Sequence, residues 1–294
     1  MLGSAIDVLD ALSLSVGMAG EGLRRRIGGN PVARFGYRAM VVGRSPEARK
    51  KPRESIRYLF RSREVSNYTY EIANVDEMVS LLADALGSDA ERVSGLVEEL
   101  HNDGELREAL VAGLRTNPRR DHEARYGKRA IDYCIIRIRK PRMVVELGTH
   151  DGLGTAVMLR ALQRNAAEGD DGKVITCDTA EEAGWLVPEN LRDRMTFHVG
   201  DAREIVERAA QEHGVDYLNC DIGPHWEGKA EVYEGLCRDA RGEFVIRTEV
   251  LDDTSALPEI ARRHGARYVS FKERPERHFW PGNLIGIAAF PRSG

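Results

Sequence analysis

The chain is short of several things that would decide its class at once. Cysteine is scarce, with four in 294 residues and none in a CxxC pair. That excludes a small disulfide-stapled fold and the paired-thiol zinc sites. Three of Cys134, Cys177, Cys220 and Cys237 sit in apolar runs and read as small core residues in a reducing compartment. No run of about 18 apolar residues occurs, so nothing reads as a membrane span. The opening "MLGSAIDVLD" carries two aspartates and no basic start, so it does not read as a secretory signal. A cytoplasmic location is expected, with no membrane partner. Charge of one sign is lacking too. The net charge of −4 and a pI near 6.1 argue against a nucleic-acid binder, which is usually basic. No internal repeat and no low-complexity tract appear. What is there is enough apolar material, 42% of the chain, for one large domain or two modest ones.

Patterning divides the chain. The first 115 residues read as mainly helical. Residues 5–26 begin amphipathic and end in "RRRIGG", a basic last turn before glycine. The stretch 44–63, "RSPEARKKPRESIRYLFRSR", is basic but broken by glutamates and prolines, and reads as a solvated linker. Three helical patterns follow, around 76–86, 89–100 and 103–115. These N-terminal helices are expected to form a cap over a site or a homo-oligomer interface. From about 122, with the second domain taken as 116–294, the pattern changes. Ile131, Cys134, Ile135 and Ile138 mark one face of a helix ended by Pro141. Apolar strand-like runs then alternate with helical stretches: 143–147, 173–178, 195–199, 215–220 and 243–248 against 154–166, a short piece near 180–194, 202–213, 226–240 and 255–264. That alternation predicts an α/β fold, an open parallel sheet with helices on both faces. The runs 266–273 and 283–290 have no helix between them and predict a C-terminal antiparallel hairpin.

In such a sheet a ligand sits at the carboxyl ends of the strands. The loop after the first strand reads "VVELGTHDGLGT" (144–155). Gly148, Gly152 and Gly154 let the backbone turn tightly and approach a ligand. The loop lacks the G-x-G-x-x-G dinucleotide pattern, since position 150 is His and 151 is Asp. Glu146 and Asp151 would repel a pyrophosphate, which seeks a bare helix N-terminus. The same carboxylates suit S-adenosylmethionine, which carries an ammonium and a sulfonium. Asp178 closes the second strand, where it can accept from ribose hydroxyls. Asp201, in "GDA" after the third strand, can accept from an adenine amino group. Asp221 ends the fourth strand, beside the reaction centre.

In "VVELGTHDGLGT", "VITCD", "HVGDA" and "YLNCDIGPHWEGKAEVYEGL", in that order, the sequence resembles the class I S-adenosylmethionine-dependent methyltransferases over roughly residues 122–294. The segment "CDIGPHWEGKAEVYEGL" is similar to the small-molecule O-methyltransferase branch that includes macrolide-sugar and other natural-product enzymes. "SREVSNYTYE" and "RYGKRAIDY" resemble segments that precede the first strand in some members. The resemblance implies a Rossmann-like seven-stranded sheet in the order 3-2-1-4-5-7-6. It implies that Glu146 and Gly148 meet the methionine end, Asp178 the ribose and Asp201 the adenine. Thr149, His150, Asp151, Gly152, Thr179, Gly200, Ala202 and Asp221 complete the expected cofactor-binding set.

Methyl transfer from a sulfonium is an in-line displacement, so the protein mainly aligns donor and acceptor. A hydroxyl acceptor also needs its proton removed. His225, four residues past Asp221, has the pKa for that work and is the expected base, although pinning its loop is an equal reading. His150 faces either the cofactor or the acceptor, and His278 in "ERHFWPGN" belongs by default to a surface loop. A Mg²⁺ site, if present, would use Asp221 and Glu249. Some relatives place an acidic pair directly at the end of the fifth strand. Arg247 and Thr248 depart from that pattern, and Glu249, Asp252 and Asp253 come late, so the sequence weighs against a metal. Asp253 also reads as a helix cap. Tyr68, Tyr70, Trp226 and Trp280 are candidates for an acceptor pocket. Packing is the default for Trp185 and Tyr233. The expected function is methyl transfer to a hydroxyl oxygen of a small molecule, a natural product or sugar. An N-methyltransferase and a non-catalytic scaffold that binds the cofactor are the alternatives.

Overall fold

The computed structural model describes residues 30–61, 70–117, 121–223, 226–240, 242–250 and 255–291. The expected helix at 5–26, Tyr68, His225, Asp252 and Asp253 lie outside these residues. Two compact units are present. One takes in the described residues up to Tyr70, then Val111–Arg125 and Arg277–Trp280. The other takes in Glu71–Leu110, Tyr126–Glu276 and the chain from Pro281 onward.

In the first unit the basic stretch is helical rather than a linker. Helices α1 (Pro31–Arg44), α2 (Pro46–Lys50) and α3 (Pro52–Arg61) follow one another closely. Each proline stands at the first helical position, where its missing N–H costs nothing and its φ is already helical. Asn30 caps α1, its side chain accepting from Val32 N and Ala33 N at 2.9 and 3.1 Å. Ser45 caps α2, with Oγ accepting from Ala48 N at 3.3 Å. Prolines that look like breakers in the sequence therefore act as starts. Ala48, Tyr58 and Phe279 form a small core with Val41 and Val42 packed against it.

The second unit holds α4 (Val75–Leu86), α5 (Ala90–His101) and the sheet; α6 (Gly104–Thr116) follows α5. The αβ pattern then runs α7 (Arg129–Arg139), β1 (Met143–Leu147), α8 (Leu153–Ala167), β2 (Lys173–Asp178), a 3₁₀ turn (Glu189–Arg194), β3 (Met195–Val199), α9 (Ala202–Glu212), β4 (Tyr217–Cys220), α10 (Lys229–Asp239), β5 (Phe244–Val250), α11 (Ala256–Arg263), β6 (Arg267–Lys272) and β7 (Leu284–Phe290). The described strands form one seven-stranded sheet in the order β3-β2-β1-β4-β5-β7-β6. Strands β1 to β5 pair in parallel, and β7 lies antiparallel between β5 and β6. The architecture is thus the α/β, Rossmann-like sheet with its C-terminal hairpin. The short piece near 180–194 is a turn ending in 3₁₀ helix rather than α-helix.

The two faces of the sheet differ. On one, Val145, Leu147, Leu218, Cys220, Ile246 and Ala288 pack with α9, α10 and α11 in a continuous apolar core. On the other, a polar row crosses four strands in register: Thr176 on β2, Glu146 on β1, Asn219 on β4 and Arg247 on β5. All four are buried. Buried polar groups hold their place only when bonded. Thr176 Oγ1 donates to Glu146 Oε2 at 2.6 Å, and Arg247 Nη1 donates to Asn219 Oδ1 at 2.9 Å. Helices α8 and α7 cover this row, Thr155 meeting Glu146 and Asp132 meeting Arg247.

Candidate active site

The loop after β1 is fixed from beneath. Gly148 N and Thr149 N both donate to Cys177 O at 3.0 Å, tying the loop to the neighbouring strand β2. Gly148 has φ +98°, and a Cβ there would lie 3.0 Å from the backbone oxygen of Asp221. The end of β4 therefore abuts the loop directly, and only glycine permits it. His150 also adopts a left-handed backbone, φ +50°. Its N–H donates to Asp178 Oδ2 at 2.8 Å and its carbonyl accepts from Gly184 N at 2.9 Å, while the imidazole is 56% exposed.

The two carboxylates of the loop do not line it. Glu146 is buried below, its Oε2 accepting from Thr155 Oγ1 at 2.5 Å and Thr176 Oγ1 at 2.6 Å. Burial pushes its pKa up to about 8, against the opposing pull of the two threonine hydroxyls. Asp151 is buried as well, and its Oδ1 accepts from Leu153 N at 3.1 Å at the start of α8. The remaining acids stand at strand ends in the expected sequence. Asp178 is half-buried at the end of β2, receiving His150 N on one oxygen and Ala180 N on the other. Thr179 beside it is exposed. Asp201 is exposed after β3 and caps α9, with Oδ1 accepting from Arg203 N at 2.8 Å and Glu204 N at 3.3 Å. Gly200 and Ala202 flank it and are half-buried.

Asp221 and Glu249 end the polar face at its carboxyl edge, and they share a cation that sequence reasoning did not assign. Lys128, at the N-cap of α7, places Nζ 2.7 Å from Asp221 Oδ1 and also donates to Glu249 Oε1. Asn283 Nδ2 donates to the same Glu249 oxygen at 2.7 Å, and Arg247 Nη1 lies 3.3 Å from the same Asp221 oxygen. Burial alone would raise the Asp221 carboxyl, but the Lys128 ammonium and Arg247 guanidinium outweigh it and hold it well below the usual range. Burial likewise pulls Lys128 down, and Asp221 with Glu249 more than restore it. Behind them, Asp132 accepts from Tyr217 Oη at 2.6 Å and faces Arg247 Nε at 3.7 Å. Burial raises the Asp132 carboxyl against the pull of Arg247. Lys229 opens α10, buried, with Nζ donating to Glu249 O at 2.9 Å; burial lowers its pKa.

The other sequence candidates scatter. Trp226 is half-buried and packs against the apolar core, its ring over Gly228. Tyr233 is buried in that core and Trp185 is half-buried. Tyr70, His278 and Trp280 belong to the first unit. His278 is not a surface-loop residue. It is buried, 5.0 to 5.7 Å from the rings of Phe279, Tyr58 and Tyr70, and burial with Lys51 and Arg125 nearby lowers its pKa to about 4. It is a neutral core histidine whose Nδ1 accepts from Trp280 N at 3.0 Å. The four cysteines are buried and free. No helix among the described residues is long and apolar enough to cross a membrane.

Strand order and the loop after β1 define the class of fold, an open Rossmann-like α/β sheet completed by an antiparallel C-terminal hairpin. Residues 145–241, from β1 through α10, match a family model described as a methyltransferase domain. Among solved structures, the chain is similar to a methyltransferase from Geobacter sulfurreducens (19% identity, 55% of this chain and 77% of that one, TM-score 0.43). It is similar also to the O-methyltransferase TomG from Streptomyces achromogenes, involved in tomaymycin synthesis and solved with S-adenosylmethionine (15%, 65% and 91%, 0.44). A third is an O-methyltransferase from Bacillus cereus in complex with S-adenosylhomocysteine (18%, 74% and 96%, 0.42). No curated protein matches it significantly.

Proposed function

We propose that this chain transfers the methyl group of S-adenosylmethionine to a hydroxyl oxygen of a small molecule, a natural product or a sugar. The observation that carries the reading is the series Asp178, Asp201 and Asp221 at the ends of β2, β3 and β4 around a glycine loop. The residues present fit the cofactor. Gly148 and Gly152 let the loop pack directly against Asp221 and against Gly184 and Val187, and Asp178 and Asp201 keep acceptor capacity for a ribose and an adenine amino group. Both backbone bonds to Asp201 fall on Oδ1. The sulfonium, when bound, supplies an already activated methyl group. The chain's part is to hold, align and keep water out. Loss of the acceptor proton needs a base; the sequence points to His225, and Lys229, its pKa lowered by burial, is a second nitrogen base in the helix that follows.

Calorimetric titration with S-adenosylmethionine and S-adenosylhomocysteine tests the cofactor. Micromolar binding of either supports the reading, and no binding of either ends it. A panel of hydroxylated small molecules with labelled cofactor then tests the acceptor. Labelled product on amines alone would move the reaction to nitrogen.

A further inference from the structure

Lys128 is a buried cation of the second unit that serves two carboxylates at once. Its side chain is 5% exposed, and its two carboxylate partners come from adjacent strand ends, 93 and 121 residues away in the chain. Two carboxylates from neighbouring strands converging on one point are the kind of oxygen donors that a hard divalent cation takes. In this chain an ammonium stands at that point. The charges around it are already matched. Lys128, Arg247 and Lys229 offset Asp221, Glu249 and Asp132, so a divalent ion added to them would leave excess positive charge in a buried site. Among the described residues no group of three or more His, Cys, Asp or Glu is placed to hold a metal.

We propose that the Lys128 ammonium is a built-in cation that fills a latent divalent-metal site between Asp221 and Glu249. The fixed positive charge beside the glycine loop is then supplied by the chain itself. Asp221 sets that position, because its backbone oxygen would lie 3.0 Å from a Cβ at Gly148. The meaning of this charge for catalysis rests on the methyl-transfer reading; its occupancy of the site does not. Electrostatics gives the expected consequence. Removing the ammonium leaves two carboxylates facing one vacated point, which a metal ion with oxygen preference can enter.

The test is calorimetric titration of the full chain with Mn²⁺, using the wild type, Asp221→Asn, Lys128→Ala and the double variant. Wild type and Asp221→Asn are expected to give the same heats. Lys128→Ala is expected to gain one Mn²⁺ with a Kd below about 1 mM, lost again in the double variant. Mn²⁺ should raise the melting temperature of Lys128→Ala and leave that of the wild type unchanged. A wild-type Mn²⁺ site that Asp221→Asn abolishes would overturn the proposal, as would a folded Lys128→Ala that takes up no Mn²⁺. Should Lys128→Ala fold only when Mn²⁺ is supplied, the latent site is confirmed directly. Should it fold under neither condition, Lys128→Met, which keeps the apolar stem and removes the charge, takes its place with the same two outcomes. A chain that passes these tests but binds no S-adenosylmethionine would keep its built-in cation and lose only the methyl-transfer reading.

Discussion

Glu146 is a carboxylate that the fold prefers as an acid. Its pKa is raised from 4.5 to about 8 by burial, against two hydroxyl hydrogen bonds. A raised carboxyl pKa favours the folded state in the protonated form. That contribution is complete below the unfolded value and is lost as pH rises through the folded one. Glu146→Gln cannot ionise, so its unfolding free energy relative to wild type should climb steadily from about pH 5 to about pH 8. Urea unfolding of both proteins across that window checks it; a constant difference would mean that Glu146 does not titrate there. Gly152→Ala probes the loop itself. The new Cβ would lie 2.7 Å from Val187 Cγ2 and 2.8 Å from Gly184 Cα, at φ +90°. The backbone of Gly184 has little room to yield, so a loss of ~1–3 kcal/mol is expected in the same assay. At this scale the sequence was half legible. Asp178, Asp201 and Asp221 fall at strand ends because strand ends can be counted along the chain. Lys128 and Arg247 could not be placed that way, since their partners come from distant segments. The one local signal was a charged residue within an apolar central strand, "FVIRTEV".

Helix α9 begins on a residue with two duties. Asp201 caps it through Oδ1 and is also the expected partner of the adenine amino group. Two substitutions separate these duties. Asp201→Ala should cost ~1 kcal/mol of stability through the lost cap and weaken cofactor binding as well. Asp201→Ser keeps a capping oxygen on a shorter arm, so stability should hold while affinity falls. Titration with S-adenosylhomocysteine beside urea unfolding reads both. If the Ser variant binds as tightly as wild type, Asp201 serves only the helix. Elements were more legible than contacts, for a physical reason. The runs 143–147, 173–178 and 195–199 coincide with β1, β2 and β3 because each is a short apolar segment bounded by turn residues. Misreadings arose where one residue type has two roles. Pro46 and Pro52 seemed to interrupt a charged linker, yet each opens a helix. Helix α10 starts at Lys229 rather than 226, and before it Trp226 lies over Gly228, where a Cβ would meet the ring at 2.5 Å.

Across the whole molecule, the sheet divides labour between its faces, and stability should follow that division. The apolar face joins β1, β4 and β5 to three helices, and every residue of β4 is buried on both sides. The polar face is closed by two hydrogen-bonded pairs, Thr176 with Glu146 and Arg247 with Asn219, with Lys128 at the carboxyl edge. Strand β3, at the edge, is only partly buried and exposes Val199. Among the described residues of the other unit, the core cluster of Ala48, Tyr58 and Phe279 is small, while Val32, Phe35, Met40, Ile56 and Phe60 remain exposed. Local opening is easiest where few apolar groups are buried, and hardest where a strand is paired and covered on both sides. Amide hydrogen exchange followed by mass spectrometry should therefore show three tiers. Peptides from α1 to α3 should exchange first, those from β3 later, and those from β1, β4 and β5 last. Lys128→Ala should speed exchange in β4 and β5 before it reaches β2, because the ion pairs it removes end on those two strands. Equal protection of α1–α3 and β4 would show that the small core is held by more than Ala48, Tyr58 and Phe279. Uniform acceleration by Lys128→Ala would show that the charged end of the polar face supports the whole sheet rather than its carboxyl edge.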